Sequence, residues 1–584
     1  MDKEFRPIVN ADEMNRALAR IAERSRQAVA EFLDRQSRDT SLTEFFDPLH
    51  IGDAFLQMTA QILAGPVQIV EAQVSLWSNY LQLWQHTART MMGDSGPAPA
   101  PESGERWNET ELFDFIKQSY LMSARWIQTL LRSHGALAKG DARTVDFYTR
   151  QLVDAMDPAE FFAANPELMA LTVESSGDNL LRGLDHMLTE MERGKRRVAG
   201  SALALGRDIA ATPGKVVFRN AAIELLHYAP VAARAHRTPL LIVPPWNARH
   251  YLLDLGPQTS FIRWALERGH QVFALSWAPP EGADAARDFA ETLSQGPLAA
   301  LDAVEQATGE RRVNGLGFGP GGTLLAATLG MLAARGEDRF FSATYLGTPV
   351  DFSEVGEISV FINEETLRVL DKKGGAKSQP EGRALSSTVD MLRANDLIWS
   401  FIIDSYLDGK TALPVELLRW TTDSLNLVTA MQDFYLRSLY QRNLLAEPGG
   451  IILQGTPIDL GGITAPAYVV AGRQDHIVPW KTAFAATSLF SGPVRFVLAP
   501  GGHAGSIVCP PQTARGYWLN TRRVKDAQGW LRNAALQKGS WWEDWDRWVA
   551  PLSGPLAEPR RPGGGTLAAL TDAPGLYARQ DANR

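Results

Sequence analysis

The residues best suited to chemistry lie in three segments of the second half of the chain. Asp475 follows the strand-like run PAYVVAG, and His503 lies in the loop after the next such run, VRFVLAP. Upstream, the tight turn GFGPGG joins the strand-like RRVNGL to the helical TLLAATLGMLAARG and has Gly319 at its centre. An aspartate can orient a histidine, which then acts as general base toward a nucleophile on a sharp strand-to-helix turn. Turn, acid and histidine therefore follow one another in the order that one class of acyl-transfer site requires.

The turn itself permits two interpretations. In the first it is a nucleophile elbow, and its central residue, Gly319, has no side chain with which to attack an acyl carbon. The residues around this centre are Gly317, Phe318, Pro320, Gly321 and Gly322. In the second, the glycines match G-x-G-x-x-G, which can hold a dinucleotide pyrophosphate at a helix N-terminus. That site also needs an acidic residue at the end of the next strand, but the strand FSATYLG ends in Gly347. The downstream acid and histidine favour the elbow.

The segments that would position these residues alternate between strand and helix. From about residue 215 onward, short β-rich runs alternate with helical runs, which indicates a mainly parallel sheet with helices on both faces. The candidate strands are PLLIVPP, QVFALSW, RRVNGLG, FSATYLG, PAYVVAG and VRFVLAP. The sequence therefore predicts an α/β protein whose site lies at the carboxyl ends of the strands.

The rest of the chain divides into further regions. Residues 1–200 are mostly helical in pattern, and a linker rich in Gly, Pro and Ser interrupts them near 93–105. Residues 201–555 are the predicted α/β domain, in which an insertion of about 351–460 is expected to cover the site like a lid. Residues 556–584 are rich in Gly, Pro and Ala and are expected to form a flexible tail.

Composition and charge exclude several classes of protein. The composition, 45% hydrophobic and 21% charged, is that of a globular protein, and the length of 584 residues predicts two domains or one domain with substantial additions. A net charge of -8 with scattered basic residues argues against nucleic acid as a partner. The single cysteine, Cys509, excludes an internal disulfide and a cysteine-based zinc site, and no metal site is expected. The sequence shows neither a signal-peptide core nor an apolar run long enough to span a membrane, so a cytoplasmic protein is expected.

Long segments of the chain resemble the class I polyhydroxyalkanoate synthases, which polymerise (R)-3-hydroxyacyl-coenzyme A into polyester on granules. The matching segments are DPAEFFAANPE, PLLIVPPWNARHYLLDLGPQ, GHQVFALSW, GFGPGGTLLA, LRANDLIWSFIIDSYLDGK, DHIVPW and GSWWEDW. The resemblance implies an α/β-hydrolase fold with a helical N-terminal domain. It also implies a coenzyme A thioester as substrate and no resident cofactor. It does not indicate which residues bind the coenzyme.

The resemblance further implies which residues act. In the family's box, written G-x-C-x-G-G, a cysteine accepts the acyl group and carries the growing chain as a thioester. The matching position here is Gly319, whereas Asp475 and His503 match the family's catalytic aspartate and histidine. Pro320 adds to the loss, because it lacks the backbone N–H that the residue after a nucleophile offers to an oxyanion. Losing one such donor costs on the order of 100- to 1,000-fold in turnover.

Three other residues bear on whether the site could work without a cysteine in the elbow. Cys509 lies outside the elbow and is expected to be a buried thiol. Thr323 begins the helix after the elbow and is expected to be a helix-start residue rather than a nucleophile. Trp246 lies after PLLIVPP, in the loop where such folds recruit another oxyanion donor, and lines the pocket in the simpler interpretation.

Three functional hypotheses remain open. The first is a catalytically silent paralogue that forms a homo- or hetero-dimer with a synthase or sits on polyester granules. The second is a polymerase that transfers hydroxyacyl groups from (R)-3-hydroxyacyl-coenzyme A to a polyester chain by substitute chemistry. The third is a thioesterase or depolymerase in which His503 and Asp475 activate water. The missing side chain at position 319 favours the first.

Overall fold

The structure, a computed structural model, describes residues 203–279, 287–356, 362, 416, 420 and 429–580, except 476, 513, 515, 521, 523 and 525. All of these belong to one compact unit made of residues 200–392 and 414–584. The predicted helical domain of residues 1–200, its linker near 93–105 and most of the predicted insertion of 351–460 lie outside the described residues.

The elements of this unit alternate along the chain. In the described residues the strands are β1 (Gly214–Arg219), β2 (Ile223–Tyr228), β3 (Ala235–His236), β4 (Pro239–Val243), β5 (Gln271–Trp277), β6 (Val313–Phe318), β7 (Phe340–Leu346), β8 (Ile452–Leu453), β9 (Thr456–Pro457), β10 (Ala467–Gly472), β11 (Val494–Ala499), β12 (Tyr517–Leu519), β13 (Ala535–Gln537), β14 (Leu556–Ala557) and β15 (Thr571–Asp572). The α-helices within the same described residues are α1 (Phe261–Glu267), α2 (Phe289–Leu293), α3 (Ala299–Thr308), α4 (Pro320–Ala334), α5 (Thr429–Phe434), α6 (Trp480–Phe484), α7 (Ala486–Leu489), α8 (His503–Ile507), α9 (Ala527–Arg532) and α10 (Trp541–Val549). Short 3-10 helices span His250–Asp254, Leu460–Gly462 and Ala550–Leu552, and π-helical segments span Ser294–Leu298 and Tyr435–Gln441. No helix among the described residues has the length and apolar character needed to cross a membrane.

Eleven of the described strands form one sheet, in the order β13-β12-β11-β10-β7-β6-β4-β5-β2-β1-β15. Its six central strands, β11, β10, β7, β6, β4 and β5, run parallel to one another, and antiparallel strands flank them on both sides. Every residue of β4, β5, β6 and β10 is buried, as expected of a parallel sheet covered on both faces. The six parallel strands are the six candidate strands of the sequence, so the predicted α/β-hydrolase fold is confirmed.

The order of the strands creates a crevice at one place in the sheet. The chain runs from β4 to β5 and then crosses to β6 on the other side of β4. The connections that leave β4 and β6 therefore diverge at neighbouring strand ends, which is where open α/β sheets bind ligands. Most residues of α4, which follows β6, are buried, so the turn between them has little freedom to move.

The segment after residue 555 differs from the predicted flexible tail. β14 pairs with β3, and β15 pairs with β1 at the edge of the large sheet. Tyr577 anchors the end of the segment, since its N–H donates to Glu224 at 3.0 Å and its hydroxyl donates to the Asn220 carbonyl at 2.8 Å. Its composition misled the prediction because hydrogen bonds, rather than a periodic apolar face, hold residues 556–580 in place.

Candidate active site

Gly319 occupies the sharp turn between β6 and α4. Its backbone has φ 50° and ψ -133°, a conformation that residues with a side chain rarely adopt. The Gly319 N–H donates to the Leu346 carbonyl of β7 at 2.9 Å, and the Gly319 carbonyl accepts from the Gly322 N–H at 3.0 Å. These bonds join the turn to the sheet on one side and begin α4 on the other. The geometry is that of a strained strand-to-helix turn that lifts its central residue above the sheet.

Three other glycines of the turn leave no room for a side chain. A Cβ on Gly317 would lie 2.5 Å from the Cα of Gly322. A Cβ on Gly321 would lie 2.3 Å from the Val243 carbonyl oxygen, and one on Gly322 would lie 2.0 Å from Thr348 Oγ1. Since real Cβ atoms essentially never approach other atoms within 3.0 Å, these glycines let β4, β6 and α4 pack closely.

Gly319, in contrast, has room for a side-chain carbon. A Cβ built there would lie 3.6 Å from Pro245 Cγ and 3.8 Å from His503 Nε2, which are ordinary contact distances. A sulfur or oxygen one bond further out would fit beside the imidazole nitrogen. Packing therefore does not require glycine at position 319, although the positive φ favours it.

Asp475 and His503, the predicted acid and base, lie side by side. Asp475 follows β10, and His503 begins α8 in the loop after β11. The Asp475 Oδ2 atom is 2.7 Å from His503 Nδ1, while Oδ1 accepts the N–H groups of Ile477 at 3.0 Å and Val478 at 2.8 Å. The carboxylate is fully buried, and the imidazole is 16% exposed. Because the carboxylate binds Nδ1, the nitrogen left toward position 319 is Nε2, the one that a general base would use.

Gly347, just after β7, allows the imidazole to reach this position. A Cβ on Gly347 would lie 2.9 Å from His503 Cε1, and the residue has φ 51°. Both the close approach and the positive φ require glycine. The imidazole thus covers the strand end at which a dinucleotide site needs an acidic side chain, which supports the elbow interpretation.

Pro320 is the first residue of α4. A proline costs a helix nothing at this position, since the first N–H groups of a helix have no partner within it. The residue after a nucleophile nevertheless normally supplies its N–H to the oxyanion, and Pro320 has none to supply. Helix stability and acyl-transfer chemistry therefore make opposite demands on this residue.

The two substitute nucleophiles considered from the sequence are engaged in other ways. Thr323 is fully buried, and its hydroxyl donates to the Pro349 carbonyl at 2.8 Å. Cys509 is 7% exposed, and burial raises the pKa of its thiol, which disfavours the reactive thiolate. Neither arrangement is that of an activated nucleophile.

A pair of tyrosines beside the elbow was missed at the level of sequence. Tyr435 and Tyr440 lie on the second π-helical segment with their ring centroids 5.3 Å apart, and the Tyr435 ring packs edge-on against Trp246 of the loop after β4. Burial raises the pKa of both hydroxyls, and the Asp475 charge adds to this for Tyr440, so both stay protonated. Their spacing of five residues suits one turn of π-helix, which is the signal that the sequence offered.

Comparisons of the sequence with known proteins agree on one family. Residues 103–265 match the family model described as the poly-beta-hydroxybutyrate polymerase (PhaC) N-terminus. The chain is 36% identical to a poly(3-hydroxyalkanoate) polymerase subunit PhaC of Rhizobium meliloti, over 99% of this chain and 97% of that one. It is also 36% identical to the subunit of the same name from Cupriavidus necator, over 90% and 91% of the two chains.

Among solved structures, a hydrolase from Pseudomonas aeruginosa PA01 matches 51% of this chain and 94% of its own, with 19% identity and a TM-score of 0.33. The sequence relatives are matched over nearly their whole length at well above 30% identity. The chain therefore belongs to the family of poly(3-hydroxyalkanoate) polymerases, also called polyhydroxyalkanoate synthases.

Proposed function

We propose that this protein is a non-polymerising member of its family, which acts beside an active synthase as a homo- or hetero-dimer or on the surface of polyester granules. The observation that carries the proposal is the contrast at the site. The turn and the Asp475–His503 pair have the geometry of a working centre, whereas position 319 has no reactive atom. Losing a nucleophile of this kind costs on the order of a millionfold in turnover.

The missing donor at Pro320 supports the same proposal. A cysteine lost alone leaves a centre that one substitution repairs, but here the adjacent oxyanion donor is missing as well. In the family reaction, the thiol would lose its proton to His503 Nε2 and attack the thioester carbonyl. Coenzyme A would then leave as a thiolate and recover that proton. Gly319 removes the attacking atom from this sequence of steps, and Pro320 removes one stabiliser of the charge that develops.

The substrate class follows from the family to which the chain belongs. The relatives are named as poly(3-hydroxyalkanoate) polymerases, so the ligands that we propose for the crevice are (R)-3-hydroxyacyl-coenzyme A and the end of a polyester chain. A cytoplasmic location, including the granule surface, accords with this proposal.

One observation favours a second candidate, a thioesterase. His503 Nε2 faces the space where a side chain at position 319 would begin, 3.8 Å away, and a water molecule there could be activated by the Asp475–His503 pair. Water would then attack the acyl carbon, and the products would be a free hydroxy acid and coenzyme A rather than polymer.

The release of coenzyme A from (R)-3-hydroxybutyryl-coenzyme A by the purified protein tests these candidates. We expect no release by the parent and measurable release with polymer by the Gly319→Cys, Pro320→Val double variant. The matched control, Gly319→Ala with Pro320→Val, should stay inactive because it adds bulk without a nucleophile. If the parent releases coenzyme A and His503→Ala abolishes this release, the thioesterase is supported instead. If the parent forms polymer, the proposal is overturned.

The partner role has its own test. The tagged protein should co-purify with an active synthase or with isolated granules from cells that accumulate polyester. Absence from both fractions would contradict the proposed role, whatever the outcome of the kinetic experiment.

A further inference from the structure

We propose that Arg249 couples the β15 segment, defined as residues 571–580, to the loop after β4 and to Trp420. Loosening of the β15 segment then loosens the wall of the crevice beside the elbow. The inference goes beyond the proposed function and does not depend on it, because it concerns how the crevice is held and not what reacts in it.

The loop after β4, residues 244–254, bounds the crevice at the elbow. Pro245 Cγ lies 3.6 Å from the place of a Cβ on Gly319. Arg249 lies in the middle of this loop, directly before the 3-10 helix His250–Asp254, and is only 4% exposed. A displacement of Arg249 therefore moves the loop that borders position 319.

The Arg249 guanidinium is bound to the β15 segment. Nη1 donates to the Tyr577 carbonyl at 2.8 Å, and Nη2 donates to the Gln580 carbonyl at 2.6 Å. These carbonyls belong to a single helical turn, in which the Leu576 carbonyl accepts the N–H groups of Arg579 at 2.9 Å and Gln580 at 3.1 Å. Carbonyls at that end of a helical turn have no partner within it, and a cationic side chain satisfies them.

A second buried charge holds the other side of the same turn. The Glu224 carboxylate on β2 is fully buried and accepts the Tyr577 N–H at 3.0 Å. Arg219 donates to this carboxylate from Nε at 2.8 Å. The turn thus has a carboxylate at its N–H side and a guanidinium at its C=O side, which is the favourable placement for the dipole of a helix. Its position is therefore determined by two buried charges of opposite sign.

The backbone carbonyl of Arg249 makes a separate contact. It accepts the indole N–H of Trp420 at 2.8 Å, and Trp420 is 6% exposed. Glu416, four residues earlier, lies against the residues that follow the loop, since its Oε1 atom is 3.4 Å from the place of a Cβ on Gly256. Arg249 thus joins three parts of the chain that are far apart in sequence.

The contacts of Arg249 cannot be lost independently. If the β15 segment leaves its place, the guanidinium loses both carbonyl acceptors, which is costly for a buried charge. The side chain would then turn toward water and displace its own backbone, which weakens the hydrogen bond from Trp420. Because energetic coupling acts in both directions, loss of the Trp420 bond should also loosen the β15 segment.

Amide hydrogen exchange of the whole protein, read peptide by peptide, tests the coupling. Arg249→Met removes both donors and keeps the aliphatic stem and the backbone carbonyl. We expect exchange to become about 10- to 100-fold faster in residues 571–580, in residues 244–254 and around Trp420. Exchange in α4 should not change.

The matched control comes from the same turn. Arg579 donates to the Leu205 carbonyl at 3.2 Å, so Arg579→Met also removes a bond of the β15 segment, but one that does not lead to the loop. It should leave exchange in residues 244–254 unchanged. In the reverse direction, Trp420→Phe removes the indole N–H, and exchange in residues 571–580 should rise about two- to tenfold.

Two outcomes would overturn the inference. Faster exchange of residues 571–580 alone in Arg249→Met would show that nothing is transmitted to the crevice, and an unchanged β15 segment in Trp420→Phe would contradict the reverse coupling. If Arg249→Met does not fold, Tyr577→Phe is the milder variant, because it removes only the hydroxyl bond to the Asn220 carbonyl at 2.8 Å. The same spread of exchange is expected for it, and a change confined to residues 571–580 would again overturn the inference. None of these results depends on coenzyme A release, so this inference and the proposed function can fail separately.

Discussion

The two halves of the site differ in what they have kept. On one side, the Asp475 carboxylate accepts two backbone N–H groups and binds His503 Nδ1. This leaves His503 Nε2 available to act as a base. On the other, the elbow has its backbone conformation but neither a nucleophile nor the following N–H. The difference shows that packing determines the shape of a catalytic turn, whereas the reactive atom on the turn depends only on the residue at its centre.

The glycines of the turn show why this separation is possible. Gly317, Gly321 and Gly322 are fixed by atoms within 3 Å of any added Cβ, so the fold itself depends on them. A Cβ at Gly319 would meet its neighbours only at ordinary contact distances, and only chemistry would demand another residue there. The fold can therefore lose the reactive atom without disturbing the packing of β4, β6 and α4.

The largest expected effect concerns the intact half. In the Gly319→Cys, Pro320→Val background, Asp475→Asn should lower kcat about 10,000-fold, or about 5 kcal/mol in barrier. The amide oxygen must keep accepting the N–H groups of Ile477 and Val478, which turns the NH2 group toward His503 Nδ1. The imidazole would then carry its proton on Nε2 and could not act as base. Measured kcat with an unchanged thermal midpoint checks this, and a loss under tenfold would show that the acid–base half is idle.

A smaller effect is expected from the packed part of the elbow. Gly322→Ala places a methyl group 2.0 Å from Thr348 Oγ1, so α4 or the strand end must shift. We expect a loss of about 3 kcal/mol in the free energy of unfolding, measured by denaturant titration. The double variant with Thr348→Ala should recover part of it. Unchanged stability of the single variant would mean that the turn is looser than its contacts indicate.

The smallest effect is expected at the centre of the turn. Gly319→Ala adds a methyl group at ordinary contact distances from Pro245 and His503, and its main penalty is the strained backbone conformation, about 1–2 kcal/mol in unfolding free energy. The same titration measures it. A loss as large as that of Gly322→Ala would remove the contrast between the two kinds of glycine. A loss in the expected range would mean that glycine at position 319 is more stable than any residue able to react there.

Much of this could be predicted from the sequence. The six parallel strands and the meeting of Asp475, His503 and position 319 follow from apolar runs and from chain order, because parallel strands bring their carboxyl ends to one edge. The family segments gave the same positions independently. These features depend on local pattern and on topology, which the sequence records directly.

What the sequence could not predict depends on contacts between distant segments. Residues 556–580 are held by strand pairing and by hydrogen bonds of Tyr577 to residues more than three hundred positions earlier, and composition alone cannot report such partners. The approach of Tyr435 to Tyr440 depends on a π-helical turn that ordinary helical periodicity hides. Among the described residues, the indole N–H of Trp246 has no acceptor, which is likewise a property of the packed interior.

The pairing of β1 with β15 also has a consequence for how the chain is made. Lys215 lies opposite Asp572, 357 positions later, so β1 emerges from the ribosome long before its partner exists. At translation rates of about 5–20 residues per second, one edge of β1 stays bare for roughly 20 to 70 s. A bare strand edge pairs readily with other chains. The segment that carries β15 thus determines how long β1 is prone to aggregation during synthesis. Without β15, that edge of β1 would stay exposed in the finished chain.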